Sequence, residues 1–206
     1  MANAVRRRLG PAERREHLLD AAVSLAAGRD LTSLSVAEIA GHAGVSEGLL
    51  YHYFPTKDAL LLAAVERAAD AMATALDVAA QGAPLEALTA GLMAYLDHVQ
   101  ADPTGWRALL QARTGPLAEV AARVEGHSRR LTLARLGAEE PSAALATALD
   151  GWAALERQVC LDWLDRPGLS RQVVEDLLLS SFLAAVEASG RHDAQTRQVL
   201  QRLGAG

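Results

Sequence analysis

Apolar residues along this chain recur at spacings of three and four and nowhere alternate with a period of two, so the sequence predicts helices and no sheet. Pro11 suits a first helical position; Leu18, Leu19, Ala22, Val23 and Leu25 follow on one face, and Gly28 supplies the stop. Ser35 and Glu38 form a capping box, each side chain satisfying an orphan backbone donor, and open a short helix through Ile39 and Ala40. Gly44 ends that helix and Val45 plugs the turn. Ser46 caps a second short helix, with Glu47 placed to favour the helix dipole, and Pro55 ends it. Thr56 then caps a longer helix running from Lys57 to about Ala80.

Beyond a break at Gln81, Gly82, Ala83 and Pro84, a helix to Ala101 carries Leu85, Leu88, Leu92, Tyr95 and Val99 on one face. Asp102, Pro103, Thr104 and Gly105 turn into a short helix with Trp106, Leu109, Leu110 and Arg113. Gly115 and Pro116 break the chain again, and the next helix runs to about Leu136. Pro141 and Ser142 open the cleanest stripe, Leu145, Leu149, Trp152, Glu156, Val159 and Trp163. After a turn at Arg166, Pro167 and Gly168, Ser170 caps a last long helix that Gly190 stops; the remainder reads as a short frayed helix or a disordered tail. The expected architecture is all-α with nine or ten helices. Residues 1–55 form a three-helix N-terminal domain, and 56–206 a helical body entered through the connecting helix 56–80.

Composition sharpens this picture. Half the residues are hydrophobic but only 4% are aromatic, so Leu, Ala and Val must fill the core. No apolar run approaches the ~18 residues of a membrane span, and no apolar segment follows the N-terminal arginines as a signal peptide requires, so the protein reads as cytoplasmic. The single cysteine, Cys160, reads as a small buried filler. Net charge is −5, yet residues 1–60 balance seven basic against seven acidic groups and leave the excess acid to the body. The densest basic run is Arg6, Arg7 and Arg8.

Two short helices joined through a glycine are too small to hold a core alone, and their natural use is a helix-turn-helix whose second helix enters the DNA major groove. Three of the eight aromatic residues, Tyr51, Tyr53 and Phe54, cluster at the end of that second helix. The continuous run from Ser35 to Leu60, with its Ala43-Gly44-Val45-Ser46 turn, Leu50-Tyr51-His52-Tyr53-Phe54 and Lys57-Asp58-Ala59-Leu60, resembles the signature of the tetracycline-repressor (TetR/AcrR) family. The resemblance covers roughly residues 11–65 and implies a transcription regulator, a homodimer and a C-terminal effector pocket. Ser35, Ser46, Tyr51, Tyr53 and Lys57, the only lysine, then become candidate phosphate contacts. Glu47, Gly48 and Leu49 become candidates at base edges, and Arg6, Arg7 and Arg8 a minor-groove arm. The alternatives are plain N-caps for the serines, core for Phe54 and a solvated terminus for the arginines. At Ala37, where the family sometimes places a basic side chain, this chain has none.

In the body, Val174, Leu178, Ser181, Ala185 and Ala188 are the candidate dimer surface, because small residues permit close helix approach. Polar residues on apolar stripes are the candidate anchors of an effector pocket: Tyr95, Arg113, His127 and Glu156, with Leu92, Trp106, Leu110, Val124 and Trp152 as walls. No metal-ligand spacing, cofactor motif or catalytic set is present, so no cofactor is expected and an enzyme is disfavoured. Operator DNA, a second copy of the chain and an unidentified small molecule are the expected partners. A helical ligand carrier or enzyme without a DNA role is the alternative.

Overall fold

The computed structural model describes residues 10–25, 33–79 and 81–203, except the side chain at 202; Gly28 and the run Arg6, Arg7, Arg8 lie outside them. The described residues form ten helices: α1 (Pro11–Leu25), α2 (Val36–His42), α3 (Glu47–Tyr53), α4 (Lys57–Ala79), α5 (Pro84–Ala101), α6 (Pro103–Gln111), α7 (Gly115–Leu136), α8 (Ala143–Asp165), α9 (Arg171–Gly190) and α10 (Ala194–Leu203). Among them there is no strand. None of these helices is long and apolar enough to cross a membrane. The chain divides into two compact units, one ending at Arg67 and the other starting at Ala68, so the division falls inside α4 rather than ahead of it.

The first unit is built by its caps. Ser35 Oγ accepts from the Glu38 backbone N–H at 3.1 Å, while the Glu38 carboxylate accepts from the Ser35 N–H at 2.8 Å. Gly44 takes φ +66° at the end of α2, a conformation that costs a glycine nothing. This lets the Val45 N–H donate back to the Ala40 carbonyl at 2.9 Å. Ser46 and Thr56 repeat the capping at α3 and α4, accepting from Leu49 N–H at 3.2 Å and Ala59 N–H at 3.0 Å. The core these caps position is one cluster that includes Leu18, Ala22, Ile39, Leu50, Phe54 and Leu60, with Val45 and Tyr53 packed at its edge. Arg67 closes the unit by pairing with Glu16 and Asp20 of α1.

The second unit packs α8 against α9 and α10 around Leu145, Leu149, Phe182, Val186 and Val199, with Leu88, Leu133 and Leu136 from α5 and α7. The tail forms α10, an ordered helix where the sequence left fraying or disorder open. Asp193 caps it, accepting from Thr196 N–H at 2.7 Å and also from the Ser142 hydroxyl at 2.8 Å. Gln195 accepts from the Ser142 N–H at 2.9 Å and donates to the Glu140 carbonyl at 2.8 Å. One polar knot thus fixes the starts of α8 and α10 together, and Val199 and Leu203 are buried behind it. Truncating Val199 to Ala removes two fully buried methyl groups and leaves a cavity. The expected loss is about 2 kcal/mol of unfolding free energy in urea denaturation. A loss under about half a kcal/mol would mean that α10 is not part of the core.

Candidate functional site

Two surfaces carry chemistry, one in each unit. On the first unit, the caps that start α2 and α3 bring their N-termini and hydroxyls to the surface: Ser35 and Ser46 are both exposed. Glu47, Gly48 and Tyr51 are exposed on α3, Tyr51 at 44%. Leu49, Tyr53 and Lys57 are half-buried, because Leu50 and Phe54, which alternate with them, turn into the core. Phe54 is core, with the Arg15 guanidinium 4.9 Å from its ring centroid. His52 and His42 are also exposed on these two short helices, and the sequence reading passed over both. His52 stands edge-on to Tyr53 with ring centroids 5.2 Å apart. A histidine beside a tyrosine on a helix too short to bury both faces was the available signal.

In the second unit, α5, α6, α7 and α8 line a cavity of about 270 Å³ that opens to the surface. Its depth comes from small residues: Ala118, Ala121, Ala122 and Ala153 leave room that leucines would fill. Trp106, Leu110, Val124 and Trp152 form walls, and Tyr95, Arg113 and Glu156 supply polar groups, so these seven predicted residues come together. Tyr95 and Trp106 meet edge to face with centroids 5.7 Å apart. Trp152 is locked by its indole N–H, which donates to the Leu178 carbonyl at 3.0 Å, and by Phe182 at 5.1 Å. Leu92 lines a second, smaller cavity of about 60 Å³ instead, which shares Tyr95, Trp152 and Glu156 with the first.

His127 does not reach either lining and requires a correction. Its Nε2 lies 3.0 Å from Asp77 of α4 and its Nδ1 3.4 Å from Arg130. The stripe that suggested it, Leu117, Val120, Val124 and Leu131, lies on one face of α7, beside the cavity side rather than centred on it. The cavity side is Ala118, Ala121, Glu125, Ser128 and Thr132, a separate three-and-four repeat. Ser128, Thr132, Glu125, Arg129, Asp150 and Arg157 were therefore missed in the sequence. Of these, Arg129 and Asp150 pair with each other across α7 and α8.

The dimer candidates on α9 divide between its inner and outer faces. Val174 and Leu178 are fully buried in this chain's own core, whereas their neighbours Val173 and Leu177 are 50% and 45% exposed. A one-residue step rotates a helix by about 100°, enough to exchange inner and outer faces. Ala188 is exposed, and Ser181 and Ala185 are half-buried beside that outer stripe.

Electrostatically the cavity is governed by Glu156. Burial, then the charge of Glu125, pushes its carboxyl up to about 8. Burial chiefly raises the Tyr95 phenol too, with Glu156 adding to it. Burial likewise raises the Cys160 thiol, again with Glu156 contributing, so Cys160 is a buried filler rather than a reactive thiolate.

A helix-turn-helix unit followed by a helical unit with a cavity between its helices defines a DNA-binding regulator of the one-component kind. Residues 18–64 match the tetR family of bacterial regulatory proteins, and residues 84–185 match the tetracycline-repressor-like C-terminal domain. A tetR-family transcriptional regulator from Streptomyces coelicolor superposes with a TM-score of 0.84 at 30% identity, covering 96% of this chain and 90% of that one. The transcriptional activator FasR of Mycolicibacterium smegmatis is 32% identical over 120 residues, 57% of this chain and 55% of that protein. The regulator BetI of Brucella abortus is 41% identical over 66 residues, 32% of this chain and 33% of that protein. The chain thus spans about half the length of FasR and a third of BetI. It belongs to the TetR family of transcription regulators, which are DNA-binding proteins and not enzymes.

The raised Glu156 carboxyl makes stability depend on pH. A folded-state pKa above the unfolded one contributes stability that is complete below the ordinary carboxyl range and is lost as pH rises through about 8. Glu156→Gln cannot ionise and escapes that loss. The Tm of the variant relative to the parent should therefore climb between about pH 5 and about pH 9. A difference constant across that range would show that the carboxyl is well solvated.

Proposed function

We propose that this chain is a ligand-responsive repressor: a homodimer that holds a palindromic operator and releases it when a small molecule enters the α5–α8 cavity. The observation that carries the reading is the double role of α7. One face lines the cavity through Val124, Glu125, Ser128 and Thr132. Another holds the Ala68–Ala79 part of α4: Arg123 lies 3.6 Å from Asp70, His127 3.0 Å from Asp77, and Arg135 donates to the Leu76 carbonyl at 2.8 Å. The same helix α4 begins at Lys57 and contributes Leu60, Ala63 and Ala64 to the core that supports α3. A ligand that favours one placement of α7 thereby biases α4. The ligand must bind one arrangement better than the other, since equal affinity shifts nothing.

In this reading α3 enters the major groove, with Glu47, Gly48, Leu49 and His52 near base edges. Ser35, Ser46, Tyr51, Tyr53 and Lys57 lie along the phosphates, and Arg6, Arg7 and Arg8 form a minor-groove arm. Two copies place their α3 helices about one DNA turn apart, roughly 34–36 Å, on symmetric half-sites. The exposed apolar stripe of Val173, Leu177 and Ala188 on α9, with Leu155 on α8, supports pairing of these helices between copies. In this reading the protein works where its operator lies, in the cytoplasm.

The direct test is an electrophoretic shift with DNA upstream of the protein's own gene, followed by a thermal-shift screen and operator release with each hit. No shift with any upstream fragment would overturn the operator assignment. Lys57→Ala should weaken binding to all DNA sequences alike and reduce the salt slope by about one. A changed sequence preference with the slope intact would remove Lys57 from the phosphate contacts. Leu177→Arg places an unpaired charge in the proposed seam and should yield folded monomers in sedimentation at micromolar concentration. Dimers that persist would put this face outside the interface.

A further inference from the structure

Resting on the cavity reading above, we infer that the ligand is a mid-sized amphiphile carrying a cationic nitrogen, which the Glu156 carboxylate receives between the aromatic walls of Tyr95, Trp106 and Trp152. The argument starts from which charges of the lining are already spent. Arg129 is paired with Asp150. Arg113 donates to the Leu110 and Ala112 carbonyls at 2.9 and 3.0 Å. Glu156 has no such partner: among the described residues no guanidinium or imidazole pairs with it and nothing hydrogen-bonds its carboxyl. The charge that reaches it is that of Glu125, of the same sign. A half-buried carboxyl on the cavity lining, next to a second carboxylate and with no cation paired to it, is an unfilled demand for a cation. Tyr95, Trp106 and Trp152 line the same cavity and meet the same demand, because ring quadrupoles attract cations. The rest of the wall is apolar, Leu109, Leu110, Leu149 and Val124, and takes a hydrocarbon body.

Arg157, half-buried on the lining, is the group that would favour an anion instead. The charge sign is therefore what the experiment must read. With its carboxyl pushed up to about 8 by burial and by Glu125, Glu156 must release a proton to receive a cation, so affinity for a cation rises with pH while affinity for an uncharged analogue does not.

The test uses three probes with one apolar body, phenylbutylamine, phenylbutanol and phenylbutanoate, titrated calorimetrically into the full chain. The amine should bind at least about tenfold more tightly than the alcohol, and the butanoate most weakly. In buffers of different ionisation enthalpy, amine binding near neutral pH should release close to one proton, and its affinity should rise between about pH 6 and about pH 9. Glu156→Gln, verified as folded by its Tm, should lose the amine preference over phenylbutanol and the proton release. Equal binding of all three, or preference for the butanoate, overturns the cation proposal and leaves the cavity reading in place. Failure of all three to bind overturns both. Retention of the amine preference in Glu156→Gln, or in the parent without proton release, also overturns it.

Discussion

Helix α7 must satisfy two neighbours at once, and the arrangement of the second unit depends on how it does so. Its small and polar residues at Ala118, Ala121, Glu125, Ser128 and Thr132 face a cavity. Its long residues Arg123, His127 and Arg135 reach the other way and hold the Ala68–Ala79 part of α4, Arg123 to Asp70, the His127 ring to Asp77 and Arg135 to the Leu76 carbonyl. Side chains with apolar stems and charged heads suit this task, since the stems pack while the heads find partners. The exposed pairs among these contribute little to stability. What they fix is register: α4 and α7 cannot slide past one another without exchanging partners.

The cavity follows from the same economy of side chains. A chain with few aromatics fills its core with Leu, Ala and Val, and wherever alanines from two helices face each other a gap remains. Here such gaps are bounded by two of the three tryptophans and by Tyr95, which are rigid and locked by edge-to-face contacts and, for Trp152, a carbonyl bond. Rigid walls keep the space open, where flexible ones would collapse into it.

The first unit was legible because its signals are local. Ser35 with Glu38, Gly44 and Ser46 each act within a few residues, so reading them in the chain is nearly the same as reading them in the fold. The cavity was legible only in part, because an apolar stripe tells which face of a helix is covered and not how far away the covering atoms lie. Seven wall and anchor positions meet there, while Leu92 turns to a neighbouring space and His127 to Asp77. On α9 the stripe was real, but Val174 and Leu178 serve the chain's own core, since both faces of that helix carry apolar residues and periodicity alone cannot rank them. The order in α10 depends on Asp193 and Gln195 meeting Ser142, far away in the chain, which no local pattern encodes.

Lys57 opens α4 and is the only lysine among the 206 residues. Arginine supplies every other side-chain cation except histidine. Amine-directed acylation therefore has a single side-chain target in the whole chain, next to the surface formed by α3. The protein carries a built-in footprinting handle: one mass increment on one peptide reports whether that corner of the molecule is covered, without any engineered label.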